Sequence, residues 1–206
     1  RPAIHPHQWH AGGRAGGRDH PCGGFAAVSA APLLVTERLE LWQPQGADVQ
    51  HMMAIVAHPE TARYLGPTPS AADSFTRFQR NAGSWLLYGY GGFMIRMKGK
   101  PEVIGNCGIF HSWRGLGEDF DDMPEAGWII AHDHVGQGLA QEAMSAAYRW
   151  FDETHGPCRS VCMIDPANAP SIRLAGKLGF TPLRETLLAE EPIALFERVS
   201  AKKNHL

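Results

Sequence analysis

From residue 34 onward the apolar positions fall into periods that predict a full set of elements. Leu39 and Leu41 alternate with polar neighbours in the stretch 34–42, which predicts a first strand. Val49, Met52, Met53 and Val56 recur at helical spacing and predict a helix over 47–57, stopped by His58-Pro59 and followed by a short segment over 60–65. A second helix is predicted over 70–87, opened by a Ser and Asp cluster suited to capping and ended by Gly89, Gly91 and Gly92. Two apolar runs, 93–97 and 103–110, flank Lys98-Gly99-Lys100-Pro101, the chemistry of a hairpin turn. A Gly-rich and acidic loop over 113–124 leads to a strand at 125–130. The next helix, 138–155, carries Leu139, Ala143, Ala147 and Trp150 or Phe151 on one face, with Gly156 as its C-terminal cap. A strand at 160–164 precedes a helix over 168–178, with Asn168 as N-cap, Pro170 in its first turn and Gly179 beyond its end. Runs at 182–187 and 193–199 predict a closing antiparallel pair.

The order is strand, two helices, three strands, helix, strand, helix, two strands. It predicts an α/β fold: one mixed sheet with helices on both faces, with no repeat or second core. That domain spans 33–199, with a short tail over 200–206. Residues 1–31 form a different block, in which glycines alternate with His5, His7, His10 and His20. Such a segment buries too little apolar surface to offset its ordering entropy, so a disordered leader is expected. A metal-binding tract is the other reading of its histidines.

Composition narrows the function. The 206 residues are 44% hydrophobic and 19% charged, enough for a buried core, and the formal net charge is −2. Bulk electrostatic binding of nucleic acid is therefore not expected. No run approaches the ~20 apolar residues of a membrane span. The stretch 25–34 is short and broken by Ser29 and Pro32, and the start of the chain mimics a secretory signal only weakly. The chain opens with Arg, not Met, and a cytoplasmic location is the default expectation. Cys22, Cys107, Cys158 and Cys162 form no C-x-x-C pair, and reduced thiols are expected.

The segment with most chemical content is Trp128-Ile129-Ile130-Ala131-His132-Asp133-His134-Val135-Gly136-Gln137-Gly138-Leu139-Ala140. A strand enters a loop with two glycines, and a long helix starts at once. Helix starts leave backbone N–H groups unsatisfied at the positive end of the macrodipole. Glycines let the backbone approach an anion, so the loop 135–140 is a candidate phosphate cradle. A simple tight turn would have the same pattern. A Walker loop is excluded because Leu139 follows Gly138, and a dinucleotide fingerprint because Gln141 stands where a third small residue is needed. His132 and His134 lack further ligands at metal-binding spacing, so no metal is expected.

Here the sequence resembles the GNAT acetyltransferases, which have Arg/Gln-x-x-Gly-x-Gly/Ala between the fourth strand and the third helix. Val135 stands in place of Arg or Gln, as in the branch resembling the ribosomal-protein acetyltransferases (RimJ/RimL-like). The resemblance extends through Thr36-Glu-Arg-Leu-Glu-Leu41, His58 to Leu65, Val103 to Gly108, Glu125-Ala-Gly-Trp128 and Asn168 to Phe180. It implies the GNAT fold, with the sheet splayed between its fourth and fifth strands. It also implies acetyl-CoA as cosubstrate and direct attack by an amine in a ternary complex. Main-chain groups of Trp128, Ile129 and Ile130 would then hold pantetheine. Those of Val135, Gly136, Gln137, Gly138, Leu139 and Ala140 would hold the pyrophosphate, with Asn168 and Ser171 also at the cofactor.

Acetyl transfer needs a neutral amine, a polarised carbonyl, a proton or donor for the departing thiolate, and alignment. Glu125 is the candidate base, acting through water, or else an exposed glutamate at a strand end. Ser171 is the candidate donor to sulfur. Asn168 caps a helix, contacts pantetheine, or both. Tyr148 is a second acid candidate that could simply pack. Glu118, Asp119, Asp121 and Asp122 are a solvated loop or a device that steers a cationic amine. The acceptor is a protein N-terminus or a small-molecule amine. A non-catalytic acyl-CoA-binding module on the same fold and a different nucleotide-binding α/β protein are the competing readings. Oligomeric state is not legible.

Overall fold

A computed structural model describes residues 31–200; the leader and most of the C-terminal tail lie outside the described residues. The sheet has eight strands in the order β1-β2-β3-β4-β5-β6-β8-β7. They are β1 (Leu34–Val35), β2 (Leu39–Trp42), β3 (Gly92–Met97), β4 (Val103–His111), β5 (Pro124–Ile130), β6 (Arg159–Ile164), β7 (Thr181–Leu188) and β8 (Glu191–Val199). The helices are α1 (Asp48–Ala57), α2 (Pro59–Ala62), α3 (Ala71–Tyr88), α4 (Leu139–His155) and α5 (Ala169–Lys177).

The expected first strand is two strands. β1 folds back on β2, with Leu34 opposite Leu41, because Thr36 closes a turn locally. Its amide donates to the Leu39 carbonyl at 2.9 Å, and its hydroxyl oxygen accepts from the Leu39 amide at 2.9 Å. A threonine hydroxyl that satisfies nearby backbone competes with an extended run, and here it wins. The remaining elements match the expected ones to within a few residues. Ser70 caps α3 by accepting from the Asp73 amide, Asn168 caps α5 by accepting from the Ser171 amide, and Gly156 follows α4 with φ 81°.

Both faces of the sheet are covered. On one, Leu139, Ala143, Met144, Ala147, Tyr148 and Phe151 of α4 meet Phe93, Ile95, Cys107, Ile109 and Cys162 from the strands. Truncating Phe151, 2% exposed, would cost about 3–5 kcal/mol through lost transfer energy and the residual cavity. On the other face Met52 and Ile55 of α1, with Phe78 of α3, pack on Met94, Val103 and Ile129. A buried ion pair fixes α1 to the sheet, Arg96 Nη2 donating to Asp48 Oδ1 at 2.6 Å.

β5 and β6 pair in parallel at one point, Glu125 opposite Val161, and then diverge. Beyond Glu125, β5 remains bonded only to β4, through Ile130 opposite Gly105. Gly105 is a forced choice: a Cβ there would lie 2.2 Å from the Ile129 carbonyl oxygen. The sheet is thus splayed between β5 and β6, the fourth and fifth strands of the sequence reading, with one edge of β5 open.

Candidate active site

β5 runs between two differently built sites. At its C-terminal end Ala131 begins a 3-10 turn over His132–His134, whose His132 ring stacks on His58 at 5.0 Å. The chain then turns through Gly136 (φ 76°) and Gly138 (φ 77°) into α4. Both glycines sit in the left-handed region that side chains with a Cβ resist. Residues 135–138 are exposed. The Val135 amide is already used, donating to the His132 carbonyl at 3.2 Å. Among the described residues, no protein acceptor takes the amides of Gly136, Gln137, Gly138, Leu139 or Ala140. Five donors at a helix start are therefore left without a protein partner, a suitable lining for a diphosphate.

The sequence reading missed what holds this loop. Glu142, in the first turn of α4, accepts from Thr36 Oγ1 at 2.6 Å, from the Arg38 amide at 2.9 Å and from Arg38 Nε at 2.7 Å. Arg38 Nη1 in turn donates to the Gln137 carbonyl at 3.0 Å. That contact turns the Gln137 carbonyl toward Arg38 and sets a guanidinium beside the glycines. Burial alone would raise the Glu142 carboxyl, but hydrogen bonds from Thr36 and Arg38 outweigh it and hold it below the ordinary value. Thr36 and Glu142 are 106 positions apart, so local pattern had no means of pairing them.

Along the open edge of β5, Trp128 reaches across the gap, its indole N–H donating to Ser171 Oγ at 3.2 Å. Ser171 lies in the first turn of α5, beneath the Asn168 cap, and its own hydroxyl hydrogen stays free to point elsewhere. Ile129 and Ile130 continue the strand opposite Asn106 and Gly105.

At the N-terminal end of β5, Glu125 is 3% exposed, not a solvated strand-end glutamate. Oε2 accepts from Ser112 Oγ and from Arg114 Nε at 2.9 Å, while Oε1 accepts from Arg114 Nη2 at 2.8 Å. Ser112 and Arg114 were not singled out in the sequence, because they stand in a loop without periodic pattern. The acidic stretch is largely engaged. Asp119 binds Arg184 at 2.7 Å, and that hydrogen bond holds its carboxyl below the usual range. Asp121 accepts from the amides of Arg114 and Gly117, and those bonds lower it likewise. Asp122 bonds the His111 ring at 3.0 Å. Tyr148 is buried, bonded to Ser160 at 3.0 Å and covered by the Arg198 guanidinium; burial pushes its hydroxyl well up.

Burial likewise raises the Cys107 and Cys162 thiols, and Cys107, Cys158 and Cys162 are free. Among the described residues, no group of three His, Cys, Asp or Glu could hold a metal ion. No helix there is long and apolar enough to cross a membrane.

A family model, the acetyltransferase (GNAT) domain, matches residues 38–181. A protein from Bordetella pertussis assigned to the GnaT-family acetyltransferases is 31% identical in sequence, with a TM-score of 0.73 over 81% of this chain and 98% of that one. The N-acetyltransferase p20 of Bacillus licheniformis, itself uncharacterized, is 28% identical over 149 residues, 71% of this chain and 81% of that protein. The ribosomal L7/L12 α-N-protein acetyltransferase RimL, solved in complex with coenzyme A, shares the fold at 16% identity, with a TM-score of 0.65 over 82% of this chain and 98% of that one. With the splayed sheet, the glycine loop and the match over 38–181, the chain belongs to the GNAT acetyltransferase family and is an acetyltransferase.

Proposed function

We propose that the protein transfers an acetyl group from acetyl-CoA to a primary amine, by direct attack in a ternary complex. The observation that carries the reading is the run of five open amides from Gly136 to Ala140, continuous with the open edge of β5. The amides bind the pyrophosphate, and Arg38 adds a positive charge beside them. The β5 backbone past Glu125 holds the pantetheine arm in the gap. RimL, which shares the fold, is one neighbour solved with coenzyme A.

The acyl thioester supplies the activated carbonyl. A bond forms between the amine nitrogen and that carbon, the carbon–sulfur bond breaks, and one proton moves from nitrogen to the surroundings while sulfur gains one. Ser171 donates to the departing sulfur, and the Trp128 N–H on its oxygen makes it a stronger donor. Glu125 receives the amine proton through water at Oε1, which accepts a single bond and so keeps a lone pair.

The test is thiol release from acetyl-CoA across a panel of amines, for the wild type, Glu125→Gln and Ser171→Ala. Amine-dependent release, lowered at least tenfold in kcat by Ser171→Ala, is expected. Tight acetyl-CoA binding with no release on any amine would point to a binding module instead.

A further inference from the structure

The face of α3 toward Glu125 carries a stripe of arginines without counterions. Ser84 accepts from the His111 amide at 3.1 Å, which fixes α3 against the end of β4 just before the loop of Ser112 and Arg114. Arg80 is one turn before Ser84 and Arg77 one further turn back, so the three share a face. Among the described residues, neither Arg77 nor Arg80 has an ion pair or a side-chain hydrogen bond. Arg77 and Arg80 are exposed; partial desolvation, then the charges of Arg114 and Arg77, hold Arg80 below the ordinary arginine value, and Glu125 alone opposes them. That carboxylate is already held by both arms of Arg114. Of the nearby loop acids, Asp119 is bound to Arg184, Asp121 to backbone amides and Asp122 to His111, which leaves the exposed Glu118.

We infer that Arg77 and Arg80, beside Arg114, form an anion-binding site at the acceptor end of the cleft, so that the preferred amine carries a carboxylate or phosphate. The inference rests on the transfer reading above and specifies its substrate class. Like charges are held together on a stable helix, and an oxyanion that accepts from two guanidiniums relieves that repulsion. The same site turns away polycationic amines, the opposite of the steering expected from the acidic stretch.

The experiment uses matched acceptors at saturating acetyl-CoA: 4-aminobutyrate against its carboxamide, O-phosphoethanolamine against ethanolamine, and an acidic tripeptide amide against its asparagine counterpart. The anionic member of at least one pair is expected to show roughly tenfold higher kcat/KM, expressed in KM. The first two pairs separate carboxylate from phosphate. The double variant Arg77→Gln/Arg80→Gln should bring the preferred pair to equality while the KM for acetyl-CoA does not move. Lysine at both positions should restore most of the preference. Turnover without charge preference, or a preference that survives the double variant, overturns this inference alone. Turnover of no amine, despite acetyl-CoA binding, overturns the transfer reading and this inference with it.

Discussion

On the reading proposed above, the two ends of β5 solve recognition in opposite ways. At the end near Ile130 the proposed binding groups are backbone amides, set by two glycines in left-handed conformation and braced by Arg38 and Glu142. At the end near Glu125 the groups are side chains, drawn from β5, the loop after β4, and α3. Backbone donors suit a ligand part that never varies, such as a diphosphate, because no single side chain controls them. Side chains from separate elements can be exchanged one at a time, which suits the partner that differs between enzymes of one family. On that proposal the fold separates an invariant cosubstrate from a variable acceptor along seven residues of one strand.

The contrast can be broken most strongly at the backbone end. Gly138→Val places a β-branched residue at φ 77° in the loop, and CoA affinity should fall at least a hundredfold by calorimetric titration. Circular dichroism should show the fold retained, and unchanged affinity would remove the cradle. Ser171→Ala comes next, with kcat down tenfold to a hundredfold and the KM for acetyl-CoA little changed. Arg38→Ala should weaken CoA about tenfold, with Arg38→Lys recovering only part, since lysine lacks the fork that engages Glu142 and Gln137 together. Trp128→Phe keeps the ring and removes the N–H, so a few-fold loss confined to kcat sharpens the assignment of Ser171 as donor.

The smallest effect is a stability effect. The folded Glu142 carboxyl titrates below its unfolded value near 4.5, so its contribution is present above that pH and lost as pH falls through the folded value. Glu142→Gln should lower stability by about 1–2 kcal/mol at pH 7. The gap in Tm between wild type and variant should narrow below pH 4.5. A gap that widens in acid would contradict the assigned sign.

How much of this was legible follows from the same contrast. The period of the apolar positions and the capping residues Ser70, Asn168 and Gly156 marked nearly every element, because those signals are local. Gly136 and Gly138 were legible as a loop for the same reason. The Thr36 turn that splits the first strand was not, since an alternating run looks alike whether or not a hydroxyl interrupts it. Nor was the brace of Arg38 on Glu142, or the burial of Glu125 by Ser112 and Arg114. Those contacts depend on how strands register in three dimensions, and an acid in a loop looks the same in sequence whether it is solvated or, like Asp121, bound to amides.

The most direct measurement follows the backbone amides of 15N-labelled protein by NMR as CoA is added. The amides of Gly136, Gln137, Gly138, Leu139 and Ala140 should shift together with one affinity. That of Val135, already bonded to His132, should move less, and that of Glu125 least. Saturable binding of CoA that leaves those five amides in place would contradict the account.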